Sequence, residues 1–297
     1  MESTLTEINM ETRHDNRFCL FWRQLRKRKM SLVGLAIVFL LILVALSASF
    51  LSPYDPSEQN LTLETVNQPP TLDHWMGTDH IGRDIFTRVV YGARISLKVG
   101  IIAEIIALVI GISVGALAGY RGGWTDSTLM RFTDMIFAFP TALFAIAVMA
   151  IFEDPTVGKI IVVLGLIGWP GIARLVRAQV LTTKQLEFSQ AAKALGGSDL
   201  RIVARHILPN SMAPVLVAAT IGIAGNILTE SWLSFLGLGV QPPIPSWGSM
   251  ITDGQVYLET KPWICIFPGL AIVVTVMGFN LFGDGLRDAL DPKLRNS

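Results

Sequence analysis

Charged residues are scarce in this sequence. Only 16% of its 297 residues are Asp, Glu, Lys or Arg, whereas 51% are hydrophobic, and the mean hydropathy is +0.51. That balance is too apolar for an ordinary soluble domain and is typical of a chain that crosses a membrane several times. The formal net charge is only +1, so we expect no nucleic-acid partner and expect membrane lipid as the main environment.

Groups that bind metals or nucleotides are also scarce. Cys19 lies in a basic tail and Cys265 in an apolar run, and the four histidines are scattered and form no cluster. We therefore expect no disulfide, no metal site and no cofactor on this chain. The sequence contains no GxxxxGK[ST] phosphate-binding loop, so if ATP drives this protein, another chain binds the ATP and Mg²⁺. No pairing of a nucleophile with a base stands out, and we expect a non-catalytic protein.

Long apolar runs dominate the chain instead. Six of them are long enough to cross a bilayer as helices, which predicts an all-α, polytopic membrane protein. The runs are Ser31–Ser52, Val99–Gly119, Phe132–Phe152, Thr156–Val180, Met212–Thr229 with an apolar tail to Val240, and Pro262–Gly283. Pro140, Pro170 and Pro268 are expected to kink their helices. Gly111, Gly115 and Gly119 are spaced four apart, as in close helix packing.

The basic residues are distributed unequally between the two sides of these six spans. One side carries 18 Lys and Arg residues and the other carries 6, so the positive-inside rule places both termini in the cytoplasm. The expected layout is a cytoplasmic tail (1–30), a first transmembrane helix (31–52), an extracytoplasmic segment (53–98), a core of five transmembrane helices (99–284) and a second cytoplasmic tail (285–297).

One polar stretch, QLEFSQAAKALGGSDLRIVARHILPNSMAP, separates two apolar runs. We interpret it as a helix, a glycine turn at Gly196–Gly197, and a second helix that Ser198 or Asp199 caps and that ends at Pro209. Ala191, Ala192 and Gly196 predict a face of small residues that another surface could approach closely. An ordinary amphipathic loop between two spans is the alternative.

This stretch resembles the EAA loop of ABC-importer permeases, the cytoplasmic segment that docks into the ATPase subunit. Two positions differ from the consensus: Gln190 replaces its Glu, and His206 replaces its Ile. The resemblance places an EAA-like loop at residues 184–211 and implies that six residues couple the chain to an ATPase. These are Gln190, Ala191, Ala192, Gly196, Leu208 and Pro209.

Four further runs resemble the C-type permeases of dipeptide, oligopeptide and nickel ABC transporters. They are GTDHIGRDIFTRVVYGARISL at Gly77–Leu97, AGYRGGWTD at Ala118–Asp126, FLGLGVQPP at Phe235–Pro243 and GDGLRDALDPKL at Gly283–Leu294. The resemblance covers the chain from Arg26 onward. It implies the type I importer fold in a bacterial inner membrane, and a complex with a second permease, two ATPase subunits and an extracytoplasmic solute-binding protein. The implied cargo is a peptide, or alternatively nickel or a metal chelate.

The first of these runs also predicts an amphipathic helix before the second span. Asp79 could cap this helix, and Ile81, Ile85, Val89 and Val90 form an apolar stripe along it.

Two carboxylates lie within apolar runs, where an unpaired charge is costly and usually faces a bundle interior or a cavity. Glu230, with Gly222 and Gly225, is our candidate for the wall of a translocation path. A structural role is the alternative for Glu230, and it is the interpretation that we favour for Glu104.

Two other functional classes compete with the permease interpretation. A stand-alone secondary transporter usually has more spans and inverted repeats, and no convincing repeat is visible in this sequence. A membrane enzyme or insertase would need a reactive constellation, which the sequence does not show.

The topology can be tested by labelling single cysteines in a background that lacks Cys19 and Cys265. From the distribution of basic residues, we expect cysteines at Ser57 and Ser246 to react from outside intact cells. A cysteine at Ser198 should react only after the cells are opened. Labelling of Ser198 from outside would contradict the orientation and the coupling role of the loop.

Overall fold

In the computed structural model, residues 25–26, 28–62, 64–152 and 156–290 are described. Helices dominate this part of the chain, and it contains no strand beyond an isolated bridge between Thr78 and Asp84. Five helical runs are long and apolar enough to span a membrane. They are α1 (Lys29–Leu46), α3 (Ile85–Arg121), α6 (Val157–Thr183), the run Asp199–Phe235 that ends in α9 (Leu208–Phe235), and α11 (Trp263–Leu290). A short helix, α2 (Ala48–Leu51), follows α1.

The sixth predicted span is not one straight helix. Helices α4 (Gly123–Phe137) and α5 (Thr141–Met149) are bent by 81° relative to each other, and together they pass the criteria for a span. The break lies at Pro140, whose backbone is extended (ψ 122°). Proline has no N–H to continue the hydrogen-bond ladder, so the predicted kink at this position is a complete interruption. By contrast, α6 and α11 continue through Pro170 and Pro268.

The segment before the second span differs from the prediction. The cap of α3 is Asp84, whose carboxylate accepts a hydrogen bond from the backbone N–H of Thr87 at 2.7 Å. Asp79 instead stabilises a turn by accepting from the N–H groups of Ile81 and Arg83, both at 3.0 Å. The expected amphipathic helix is thus the first part of α3, and the boundary drawn between residues 98 and 99 falls inside one continuous helix.

The end of the chain also differs. Helix α11 continues past Gly283, where the sixth span was predicted to end, and includes the polar sequence up to Leu290. Gly285 lies against Ser31 of α1, and Arg28 forms an ion pair with Asp288 at 3.0 Å. Packing against α1 therefore keeps this polar turn helical.

Close contact between α3 and α6 forms the centre of the fold. A Cβ atom at Gly111 would overlap Ile172, one at Gly115 would overlap the carbonyl oxygen of Ala173, and one at Gly119 would lie 3.0 Å from Val180. The predicted role of the three glycines in helix packing is thus confirmed.

Helix α10 (Trp247–Gly254) closes one end of the bundle, which we call the α10 end. A capping box between Ser246 and Ser249 begins the helix. The Trp247 indole is buried and donates to the carbonyl of Val89 at 2.9 Å. A 3₁₀ turn (Gln255–Tyr257) follows α10.

A buried charge cluster fixes α10 to the loop that precedes α3. Arg83 donates to Asp79 at 2.5 Å and to Asp253 of α10 at 3.1 Å. Arg88 lies 3.8 Å from Asp79 and 3.6 Å from Asp253. Both arginines are buried and paired, as buried charges must be.

Ser246 is fully buried because it caps α10. A cysteine at that position cannot report its side of the membrane, so our choice of labelling site was wrong. Val256 is 82% exposed and replaces Ser246 as a labelling site in the topology experiment. The other two sites, Ser57 and Ser198, are exposed.

The glycine contact predicts a loss of stability from a single methyl group. Gly115→Ala should lower the free energy of unfolding by about 1–3 kcal/mol because α3 must move away from the backbone of α6. Thermal unfolding of the purified full-length chain in detergent measures this change. Gly171→Ala is the matched control, since it also adds a methyl group to a helix but no atom lies within 4 Å of the new Cβ. Equal unfolding temperatures for the two variants would contradict the predicted role of Gly115.

Candidate functional site

The EAA-like loop forms the predicted helix, glycine turn and second helix. Helix α7 (Glu187–Ala194) ends at Gly196, whose φ is +79°. The N–H of Gly197 donates to the carbonyl of Ala192 at 3.1 Å, and that of Gly196 to Lys193 at 3.0 Å. Glycine adopts this left-handed conformation without steric cost, which explains why the helix stops here.

The second helix does not end at Pro209 as predicted. Helix α8 (Asp199–Ile202), with Ser198 at its N-cap position, continues through a π-helical turn (Val203–Ile207) into α9. Pro209 follows the π-helical turn closely, and the helical run continues through it although proline has no N–H to donate. The loop and the following span are therefore one helical run, Asp199–Phe235.

The three small residues do not share one face, in contrast to our expectation. Ala191 and Gly196 are exposed, whereas Ala192 is partly buried and packs on an apolar cluster that includes Ile202 and Ile207. Leu208 packs on the same cluster, and Pro209 is exposed. Gln190 is exposed and donates to the carbonyl of Gln185 at 3.0 Å.

Two exposed leucines next to the glycine turn were missed by the sequence reasoning. The exposed fractions are 88% for Leu195 and 80% for Leu200. Leu186 and Phe188 add further exposed apolar surface on the same loop. Their exposure could be predicted from the sequence, because leucines in a polar loop beside a Gly–Gly turn have few residues to pack on.

Hydrogen bonds hold the loop rigidly against the ends of α3 and α6. Tyr120 donates to Asp199 at 2.9 Å, and the Lys184 ammonium donates to the carbonyl of Gly119 at 2.7 Å. Ser189 donates to the carbonyl of Thr183 at 2.9 Å. A force applied to this loop would therefore reach three spans directly.

Glu230 lies near the other end of α9 and is completely buried. Its Oε1 accepts a hydrogen bond from Ser234 at 2.8 Å, and the hydroxyl groups of Ser246 and Ser96 also face the carboxylate. Within the described part of the chain, Oε2 has no hydrogen-bond partner. Glu230 thus connects α9 with α3 and with the cap of α10.

The other two path candidates, Gly222 and Gly225, lie on different sides of α9. Gly222 lies against the Glu104 carboxylate of α3, which also accepts from the Asn226 amide at 3.0 Å. Gly225 is exposed, and no atom lies near its missing Cβ. With 3.6 residues per turn, Gly225 lies about 140° around the helix from Glu230. In this conformation Glu230 and Gly225 therefore do not line one surface.

The side of α9 that carries Gly225 is apolar and unpartnered within the described chain. Its large exposed residues are Ile221, Leu228, Trp232 and Phe235. Such a continuous apolar face suits lipid or another membrane-spanning chain.

Comparison with known families gives two matches along the chain. The family described as "Binding-protein-dependent transport system inner membrane component" matches residues 111–296. The family described as "N-terminal TM domain of oligopeptide transport permease C" matches residues 17–70.

Individual relatives agree with these matches. A dipeptide transport system permease protein from Alkalihalophilus pseudofirmus is 45% identical over 275 residues, which cover 93% of this chain and 90% of the relative. The corresponding Bacillus subtilis protein is 46% identical over 92% of this chain and 85% of its own. A glutathione transport system permease protein from Pectobacterium atrosepticum is 44% identical over 93% of this chain and 91% of the relative.

A solved structure supports the fold. The MetNI methionine ABC transporter, captured in inward-facing conformations, superposes with a TM-score of 0.56 at 19% identity. The match covers 69% of this chain and 96% of that chain. The all-helical architecture is therefore the type I ABC-importer permease fold, and the chain belongs to the family of binding-protein-dependent transport system inner membrane components, as a C-type permease of its dipeptide and oligopeptide branch.

Proposed function

We propose that this chain is one of two permease subunits of an ATP-driven importer of peptides. The observation that carries the proposal is the identity of 44–46% with permeases of dipeptide and glutathione transport systems over more than nine-tenths of the chain. Both cargoes are short peptides, so the relatives favour a peptide over the nickel that the family resemblance also allowed. The second permease would lie against the apolar face of α9.

ATP would be bound and hydrolysed by two separate ATPase subunits, which also hold the Mg²⁺. The EAA-like loop would face the cytoplasm, with both chain termini, and dock into an ATPase. Leu195 and Leu200 support this assignment, because two almost fully exposed leucines beside a rigid turn are suited to insertion into a partner's groove. Gln190, Ala191 and Gly196 would contact the ATPase, while Ala192, Leu208 and Pro209 would support the loop from behind.

The α10 end would face the extracytoplasmic solute-binding protein that delivers the peptide. Coupling between the two ends follows from the uninterrupted helical run Asp199–Phe235, which begins in the docking loop and ends beyond Glu230. At 1.5 Å per residue, this run is about 55 Å long. Closure of the ATPases would tilt the run as a lever and move Glu230 relative to α3 and α10.

Glu230 would become accessible to the peptide only in the outward-facing state. Gly222 and Gly225 support this step because the absence of side chains lets α9 slide or bend against its neighbours. The carboxylate would then pair with the ammonium group of the peptide.

Gly196→Asp should abolish uptake while the spans still insert. The substitution places a charge in the docking surface, and burying an unpaired charge costs more than the ~1–3 kcal/mol of simple overpacking. Gly196→Asn is the matched control, because asparagine tolerates a positive φ as aspartate does and carries no charge. Cross-linking of a cysteine at Ala194 to the ATPase should succeed in the parent and in Gly196→Asn, and fail in Gly196→Asp.

Leu195→Ser with Leu200→Ser should weaken ATPase association, whereas Leu72→Ser should not, since Leu72 is equally exposed but lies in the segment before α3.

Ala192→Glu should be harmful for a different reason, because it puts a charge against the internal cluster. Wild-type transport and wild-type ATPase association in Gly196→Asp would show that the loop is not the coupling element.

Glu230→Gln should lower peptide uptake and leave subunit association intact. Glutamine keeps the shape and still accepts the hydrogen bond of Ser234, but it lacks the charge that attracts an ammonium group. Uptake by proteoliposomes across a pH series measures the effect. Glu104→Gln is the control, because it removes the charge of another buried carboxylate that accepts a side-chain hydrogen bond, in this case from Asn226. Unchanged uptake by Glu230→Gln at every pH would leave this residue with a structural role only.

A further inference from the structure

A cavity of about 480 Å³ opens beside the EAA-like loop, between α7 and the ends of α3 and α6. We call it the basic cavity. Among its lining residues are Tyr120, Arg121, Lys184, Gln190, Lys193 and Asp199. These side chains provide three cations and one carboxylate, and they come from α3, the end of α6, α7 and α8.

The cations of the basic cavity are largely unused by the protein itself. Within the described chain, neither the Arg121 side chain nor the Lys193 side chain forms a hydrogen bond or ion pair, and both residues are exposed at the cavity. Lys184 spends one of its three N–H donors on the carbonyl of Gly119. The carboxylate of Asp199 already accepts from Tyr120. The cavity therefore presents many donors and an excess of positive charge to an anion.

The position of the basic cavity favours a lipid as the source of that anion. Helix α3 continues past its apolar part to Tyr120 and Arg121, and the second residue of α4 is Trp124, which is 82% exposed. Exposed tryptophans concentrate at the level of lipid headgroups, and basic pockets between membrane-spanning helices at this level bind phosphate-bearing headgroups.

We propose that the basic cavity binds the phosphate of an anionic lipid headgroup. Arg121 and Lys193 provide the principal positive charges, and the Lys184 ammonium donates a further hydrogen bond to the phosphate. Because Arg121 belongs to α3 and Lys193 to α7, the bound phosphate joins the loop to the transmembrane core and adds to the Tyr120–Asp199 hydrogen bond. The lipid composition of the membrane would thereby regulate how tightly the loop follows α3. This inference does not require peptide to be the cargo.

The test measures lipid binding to the full-length chain within its transporter complex. The complex is reconstituted in nanodiscs of phosphatidylcholine with a variable fraction of phosphatidylglycerol, and retained lipid is quantified by native mass spectrometry after transfer to detergent. Each lost basic charge should weaken binding about fivefold, so Arg121→Gln with Lys193→Gln should weaken it about 25-fold. The matched control is Arg201→Gln with Arg205→Gln, two exposed residues of the run Asp199–Phe235 that do not line the cavity.

Loss of phosphatidylglycerol in the first variant and its retention in the control would support the proposal, provided that both variants unfold at the parent temperature. Equal loss in both variants would overturn it, since the attraction would then be general to the basic surface. Inorganic phosphate is added in a second arm, and retention of phosphate without any retained lipid would also overturn the proposal.

A third arm removes the ATPase subunits. If phosphatidylglycerol binds only after their removal, the ATPase fills the basic cavity in the assembled transporter and the lipid assignment is wrong. Both leaflets of a nanodisc are equivalent, and the readout is binding rather than uptake. Failure of this proposal therefore leaves the peptide-import proposal and its own tests unaffected.

Discussion

The close contact of α3 with α6 is the interaction on which the rest of this fold depends. Lipid is as apolar as leucine, so burial from water does not drive helices together within the bilayer, and tight packing must do so instead. Gly111, Gly115 and Gly119 on α3, with Gly165 on α6, remove the side chains that would hold the two backbones apart. Once α3 and α6 are fixed, α9 packs against both, and α11 packs on α9 and α1.

The two ends of this bundle are built according to opposite principles. At the α10 end, charges are buried and paired, and the Arg83–Asp79–Asp253 cluster joins segments that are 170 residues apart in the sequence. At the end with the EAA-like loop, the charges and two leucines are exposed. The charge cluster therefore fixes α10 to the loop before α3, whereas the EAA-like loop leaves apolar surface exposed.

The sequence predicted the number and approximate position of the membrane-spanning elements because the apolar runs are long and separated by charge. Their ends were predicted less well. Helix α3 begins fourteen residues before the apolar run at Val99. Asp84 caps this start, and residues of the α10 end pack against the polar first turns of the helix. Periodicity could not reveal this, because the stabilising partners, such as Asp253 and Trp247, are distant in the sequence.

The same limitation explains the results at the candidate sites. Gly196 was recognised correctly as a helix stop because that role is local, and its φ of +79° agrees. The prediction that Ala191, Ala192 and Gly196 share one face was wrong, because tertiary contacts of Ala192 with the cluster around Ile202 set the orientation of α7. Likewise, the sequence placed Glu230 and Gly225 in one span but could not show that Glu230 points toward Ser234 and α10 while Gly225 faces away from the chain.

The burial of Glu230 bears on how such a carboxylate is tolerated in the bilayer. An ionisable group without water needs donors, and three serines from three elements, Ser96, Ser234 and Ser246, surround this one. Ser234 belongs to α9 itself and moves with Glu230, whereas Ser96 belongs to α3 and Ser246 caps α10. A motion of the run Asp199–Phe235 relative to α3 and α10 would therefore change the surroundings of the carboxylate. Because that run starts in the EAA-like loop, the coupling that we propose needs only one helix to connect the loop with the carboxylate at the opposite end of the bundle.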